Sequence, residues 1–270
     1  KGSYDKILLD LGRKHQFPRG FPVLWIPGST QSIRYFGFLP KFSNDERQEL
    51  DKFSVDDDIE SLRFFKKWSG FLGQLLVFEI PRKGSTDTAT VGWTVCSKNS
   101  CDCTSEFVID AKRLFEPHVT PRLLEEMVIN KLHVCAEMIS FNDQTHGSRA
   151  FKETPVVTVI GKQIVEASNT TGFVTFLGHD EVVAMCQKFG LPCDSAITIK
   201  GQKPCIAFLT ALSLERDFMV DSKLNKLIQD LDDSTGAVYI QRGLISHAET
   251  VGECLEGLVI YLYTNDGTRT

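Results

Sequence analysis

Residues 75 to 98 do most to restrict the fold. The strand-like run LLVFEI (75–80) is followed by the polar stretch RKGSTDT and then by a second strand-like run, VGWTVCSKN. Two β-branched and aromatic runs separated by a short stretch of Gly, Ser, Thr and Asp form a hairpin. A hairpin commits its sheet to antiparallel pairing, because a parallel crossover needs about a dozen residues or more. Later segments mix helix and strand without regular βαβ alternation. Helices are expected over about 105–116 and 121–130, the second opened by Thr120 as N-cap and Pro121 at the first helical position. Strands are expected at 131–140 and 155–161, and an amphipathic helix at 180–189 stopped by Gly190 and Pro192. Another helix is expected over roughly 213–231, and LEGLVIYLY (255–263) reads as a closing strand. The first 60 residues are loop-rich, broken by Pro18, Pro22, Pro27 and Pro40. The class is α+β, with mainly antiparallel sheets flanked by helices.

Composition narrows the functional classes. The 270 residues are 42% hydrophobic and 24% charged, with a net charge of −5 and a pI near 5.7. No apolar run approaches the roughly 18–20 residues of a membrane span, so no membrane partner is expected. An acidic balance disfavours non-specific nucleic-acid binding, which depends on neutralising phosphates. Local basic surface stays open through Arg13-Lys14, Arg63, Lys66-Lys67, Arg82-Lys83 and Lys112-Arg113. Of the eight cysteines, the tightest group is Cys96, Cys101 and Cys103. It lacks the paired spacing of a zinc site, and reduced thiols in an intracellular protein, cytoplasmic or nuclear, are expected. His146, in a polar loop with no second ligand near it, reads as surface.

The stretch FFKKWSGFLGQLLVFEI (64–80) raises a chemical question. A lysine is a nucleophile only when its amine is neutral, and an apolar wall or nearby positive charge favours that state. Phe64, Phe65, Trp68 and Phe71 are candidates for the wall, and Lys66 for the charge. Gly70 would let backbone approach a phosphate closely. Taken alone, Lys67-Trp68-Ser69-Gly70 is a K-x-x-G corner like many solvated ones. Order changes its weight. After Lys67 come VCSKNS (95–100), HVCAEMIS with Glu137, VVTVIGK, and ECLEGLVIYL with Glu256-Gly257-Leu258-Val259.

In that order these segments resemble the covalent nucleotidyltransferase superfamily of RNA ligases, DNA ligases and capping guanylyltransferases. Within it they are most similar to the adenylyltransferase domain of tRNA ligases and of the first type of phage RNA ligase. IRYFGFLPKFSNDE (33–46) resembles the segment before the family's lysine, and VCSKNS its T-S-K-x-S. AEMISFNDQTH looks like the F-E-L…H stretch of fungal tRNA ligases, and TFLGHDEVVAMCQKFGLP (175–192) the helix after their third strand. Fungal tRNA ligases carry K-A-N-G where this chain has K-W-S-G. The distance from Glu137 to Glu256 implies an insertion around 194–240. The family's last motif, K-x-K, is expected soon after E-G-x-V; no lysine follows Val259, so it is expected beyond residue 270 or is missing from the protein.

The resemblance implies an ATP-grasp-like nucleotidyltransferase fold, one RNA ligase adenylyltransferase domain over 1–270, and ATP and Mg²⁺ as substrate and cofactor. It implies that Lys67 is the catalytic nucleophile, adenylated to lysyl-AMP. Trp68 and Gly70 flank it in the nucleotide site. Ser97 and Lys98 line the phosphate path, and Arg34 and Lys41, with Asn44, touch the triphosphate or nucleotide. Glu137 meets the ribose or the metal, and Glu256 faces the metal. Val157 and Val159 pack on the adenine, where many relatives place an aromatic. Without the resemblance, Glu137 reads as a capping or salt-bridge residue, Glu256 as an exposed strand-start acid and Lys98 as a solvated hairpin charge. The implied partner is RNA with 5′-phosphate and 3′-hydroxyl ends, foremost tRNA halves, with room for kinase and phosphodiesterase modules on the same polypeptide. Two alternatives stay open: a DNA ligase or capping guanylyltransferase, and a degenerate nucleotidyltransferase fold that only binds RNA or protein.

Overall fold

A computed structural model of the chain describes residues 23–25, 33–35, 59–80, 90–143, 152–163, 174–214, 221–245 and 257–264. The strands are β1 Val23–Trp25, β2 Ile33–Tyr35, β3 Ile59–Lys67, β4 Phe71–Ile80, β5 Thr90–Ser97 and β6 Leu132–Ile139. They continue as β7 Thr154–Gln163, β8 Val174–Phe176, β9 Ala196–Lys200, β10 Val238–Gln241 and β11 Gly257–Thr264. The helices are α1 Glu106–Phe115, α2 Pro121–Ile129, α3 His179–Phe189, α4 Gln202–Leu214 and α5 Asp221–Thr235, with a 3₁₀ turn at Glu116–His118. The protein is α+β, and the strand pairs of its sheets are antiparallel.

Packing divides the chain into two compact units. One holds β1, β2, β4 to β8 and α1 to α3; the other holds β3, β9, β10, β11, α4 and α5. In the first unit the strand order is β5-β4-β6-β7-β8, and β4 and β5 form the expected hairpin, paired from Gly73–Ser97 to Ile80–Thr90. The residues between those strands lie outside the described ones. Helices α1 and α2 pack on this sheet through Val108, Ala111, Leu114, Phe115, Leu123 and Met127. Strand β6 lies inside the sheet and is enclosed along its length except at half-buried Glu137. Thr120 caps α2 as expected, its hydroxyl accepting from Leu123 N–H at 3.2 Å, with Pro121 following. Gly190 ends α3 at φ 70°, a left-handed conformation that glycine adopts without strain.

Arg113 ties α1 to the open ends of β6 and β7. Its guanidinium donates to both carboxylate oxygens of Glu153, at 2.8 and 2.7 Å, and to Asp110 Oδ1 at 2.6 Å. Asn142 donates to the same Asp110 oxygen at 3.1 Å, so the segment after β6 is hydrogen-bonded back onto the helix. The FND of that segment forms a turn held in place by these bonds.

The second unit is built on the sheet β10-β9-β3-β11. Its core comprises Ile59, Leu62 and Phe64 of β3, Ile197 and Ile199 of β9, and Cys205, Phe208, Leu224, Ile228 and Leu231 of the two helices. Phe64 and Phe208 stack with ring centroids 4.8 Å apart. Each large side chain enclosed this way contributes about 1.5–3 kcal/mol. The helix expected over roughly 213–231 corresponds to α5, Asp221–Thr235, and α4, Gln202–Leu214, is a further helix that was not expected. The run PCIAFLTALSL in α4 is apolar nearly all round and hides the 3.6-residue period; its start is marked by Gly201 at φ 89° and by Pro204 in the first turn. Among the described residues, no helix is long and apolar enough to cross a membrane.

Candidate functional site

Lys67 is the last residue of β3, and β11 enters the sheet directly opposite it. Gly257 pairs with Lys67, Leu258 with Lys66 and Val259 with Phe65. Two segments far apart in sequence, the K-x-x-G lysine and the E-G-L-V run, are therefore cross-strand neighbours. The Lys67 stem lies by Gly257, whose added Cβ would meet Lys67 Cδ at 3.8 Å, an ordinary contact. Glu256, the residue before this pair, lies outside the described residues, as do Lys41, Asn44 and His146. Arg34 is paired with Leu24 in the β1–β2 ladder.

The alternation of β3 separates the two lysines. Lys66 continues the enclosed side of Leu62 and Phe64 and is 7% exposed, whereas Lys67 is half-buried on the side of Phe65. The expected four-membered aromatic wall around Lys67 is not what these side chains form. Phe64 belongs to the core stack with Phe208, and Phe71, in the first unit, packs edge-on against Phe107 at 5.0 Å. Phe65 remains on the Lys67 side and meets Tyr261 edge-on at 5.9 Å.

Trp68 is positioned by a residue that sequence reasoning missed. Its indole N–H donates to Asp194 Oδ2 at 3.1 Å, and Asp194 Oδ1 accepts from Ser195 N–H at 2.7 Å. Asp194 is 8% exposed, so both bonds offset the cost of enclosing a carboxylate. The only signal for it in the sequence was an Asp-Ser pair beside a β-branched run, which is too common to single out.

The first unit holds the remaining expected residues. A Cβ on Gly70 would collide with the backbone carbonyl oxygen of Met138 on β6. The glycine of K-x-x-G is thus required by strand packing, a reason other than the expected approach to phosphate. Leu72 pairs with Glu137, and its carbonyl accepts from Lys98 N–H at 3.2 Å. Gly73, the next residue, pairs with Ser97 on one side and Ala136 on the other. Ser97, Lys98 and Glu137 thus lie at one level of three adjacent strands. Lys98 is exposed, and Ser97 is buried, its hydroxyl accepting from Ser100 N–H at 3.1 Å.

Register then sorts these residues by face, since directly opposed residues point to the same side of a sheet. Val159 pairs with Cys135 and shares the Glu137 face, while Val157 pairs with Ala136 and shares the Ser97 face. The step between them is a bulge at Thr158, whose hydroxyl donates to Cys135 O at 3.2 Å. Val157 is buried and Val159 half-buried. The two valines, expected together, are therefore separated, and Val159 is the one on the Glu137 face.

No protein-family model matches this chain, and no curated protein matches it.

Proposed function

We propose that the chain carries the adenylyltransferase domain of an ATP-dependent RNA ligase, with the ATP-grasp-like nucleotidyltransferase fold. The observation that carries this reading is the pairing of Lys67 with Gly257: the proposed nucleophile and the glycine of the E-G motif adjoin on neighbouring strands. The mixed α+β architecture and antiparallel sheets support it. In the first step Lys67 Nζ attacks the α-phosphorus of ATP and gives up its proton, the N–P bond forms, the bond to the bridging oxygen breaks and pyrophosphate leaves. An oxygen of an RNA 5′-phosphate then attacks the AMP phosphorus; a P–O–P bond forms, the N–P bond breaks, and Lys67 is released and takes up a proton. A 3′-hydroxyl attacks that activated phosphate, the new phosphodiester forms and AMP leaves. Positioning and charge stabilisation dominate such in-line displacements.

Mg²⁺ takes oxygen ligands and completes its shell with phosphate and water. Glu137, a half-buried carboxylate, fits that donor chemistry, and Glu256, next to the Lys67–Gly257 pair in sequence, is the second proposed ligand. Among the described residues, no three His, Cys, Asp or Glu side chains cluster as a metal cage. When bound, Mg²⁺ shields the phosphate charge. Lys98 is proposed to border the phosphates, Trp68 and Gly70 to flank the lysine, and Val159, on the Glu137 face, to pack on the adenine; Ser97 and Val157, on the opposite face, are left out of the proposed site. Joining of tRNA halves is the role proposed first and RNA repair second.

Incubation with Mg²⁺ and α-labelled ATP or GTP, followed by a nicked, 5′-phosphorylated RNA or DNA, tests the reading. The expected result is covalent label from ATP that transfers to RNA and seals it. Label from GTP alone points to a capping enzyme, and transfer to DNA alone to a DNA ligase. No label with either nucleotide overturns the enzymatic reading in favour of a binding module.

A further inference from the structure

The turn between β5 and α1 brings two thiols together. The Ser97 N–H donates to Ser100 O at 2.8 Å, and the Ser100 N–H donates to Ser97 Oγ at 3.1 Å. Ser97 and Ser100 therefore face each other across a bend made by Lys98 and Asn99. Lys98 N–H points the opposite way, to Leu72 O on β4, as strand alternation requires. The next residues outward, Cys96 and Cys101, flank this bend and are drawn toward each other. A disulfide joins residues whose Cα atoms are ~4.4–6.8 Å apart, so only neighbours held this closely can close one. Both cysteines are free, and their thiols hydrogen-bond to each other. Cys96 is buried beside Leu76, while Cys101 is exposed.

We propose that Cys96 and Cys101 are a reversible oxidation site that closes a disulfide across the Ser97–Ser100 turn when a hydroperoxide is present. Cys101 is the reacting partner. It is open to solvent, and the hydrogen bond from Cys96 lowers its pKa to about 7, which puts much of it in the thiolate form at neutral pH. Cys96 is held as the thiol by its hydrogen bond with Cys101 and by burial. The Cys101 thiolate attacks one peroxide oxygen; an S–O bond forms, the O–O bond breaks and an alkoxide or hydroxide leaves, taking up a proton. Oxidation removes the Cys101 anion that helped keep Cys96 protonated. Cys96 then loses its proton and attacks the Cys101 sulfur; the S–S bond forms and the S–O bond breaks, releasing water. Two thiols lose two electrons and two protons, and the hydroperoxide becomes alcohol and water. Because the closed turn carries Lys98, oxidation lowers adenylylation of Lys67, a consequence that rests on the nucleotide reading.

The full chain, treated with hydrogen peroxide and digested with trypsin, gives a direct readout. Trypsin cuts after Lys98, so a Cys96–Cys101 bond holds two peptides together until a reductant parts them. The expected result is a linked pair in the wild type and in Cys103→Ser, and none in Cys101→Ser. The absence of a linked pair in oxidised wild type, or a link that survives Cys101→Ser and disappears in Cys103→Ser, overturns the site. In parallel, peroxide should cut ATP-derived label several-fold in the wild type and leave Cys101→Ser unaffected; equal loss in both contradicts the regulatory consequence. A reduced protein that never labels contradicts the nucleotide reading instead, and the peptide map alone then decides whether the disulfide forms.

Discussion

The adjacent lysines at the end of β3 meet different surroundings because a strand sends successive side chains to opposite faces. Lys66 continues the enclosed side of the second unit, and Lys67 stands beside the glycine that opens β11. Two lysines that look alike in sequence are thus distinguished by register, which single-residue reasoning does not supply. Gly70 shows the same limit. Its place in the motif was legible, but its collision partner, the Met138 carbonyl, becomes visible only when β6 is laid against β4. Gly70→Ala should lower stability by about 1–3 kcal/mol, since the obstacle is backbone that yields only with strain. A urea titration showing an unchanged midpoint would contradict that packing.

At the scale of elements, local chemistry was readable wherever it was decisive. The β4–β5 hairpin, the Thr120–Pro121 start of α2 and the Gly190 stop of α3 follow from turn, cap and breaker residues acting on their own neighbours. Thr120→Ala removes the hydroxyl that accepts from Leu123 N–H, and should cost about 1 kcal/mol in denaturant unfolding, with Thr120→Ser restoring most of it. Strands β3, β9 and β10 were not anticipated. Their runs are short or interrupted by charge, and pairing with distant strands decides them. Helix α4 was missed because it is apolar around its circumference and lacks a readable face.

For the molecule as a whole, the sequence conveyed the α+β class and the order of the motifs, while the grouping of elements into two units depends on long-range packing. The second unit centres on the Phe64–Phe208 stack, so Phe208→Ala should cost about 3–5 kcal/mol through lost burial and the cavity left behind. A much smaller shift in the unfolding midpoint would contradict that core. The same unit presents Lys67 against Gly257, and the proposed reaction puts AMP in covalent linkage on Lys67. The most direct measurement incubates wild type, Lys67→Ala and Lys66→Ala with Mg²⁺ and α-labelled ATP, denatures each protein and counts the bound label. An acid-labile adduct on the wild type and Lys66→Ala, absent from Lys67→Ala, is the predicted result; an adduct that persists in Lys67→Ala contradicts the proposed reaction.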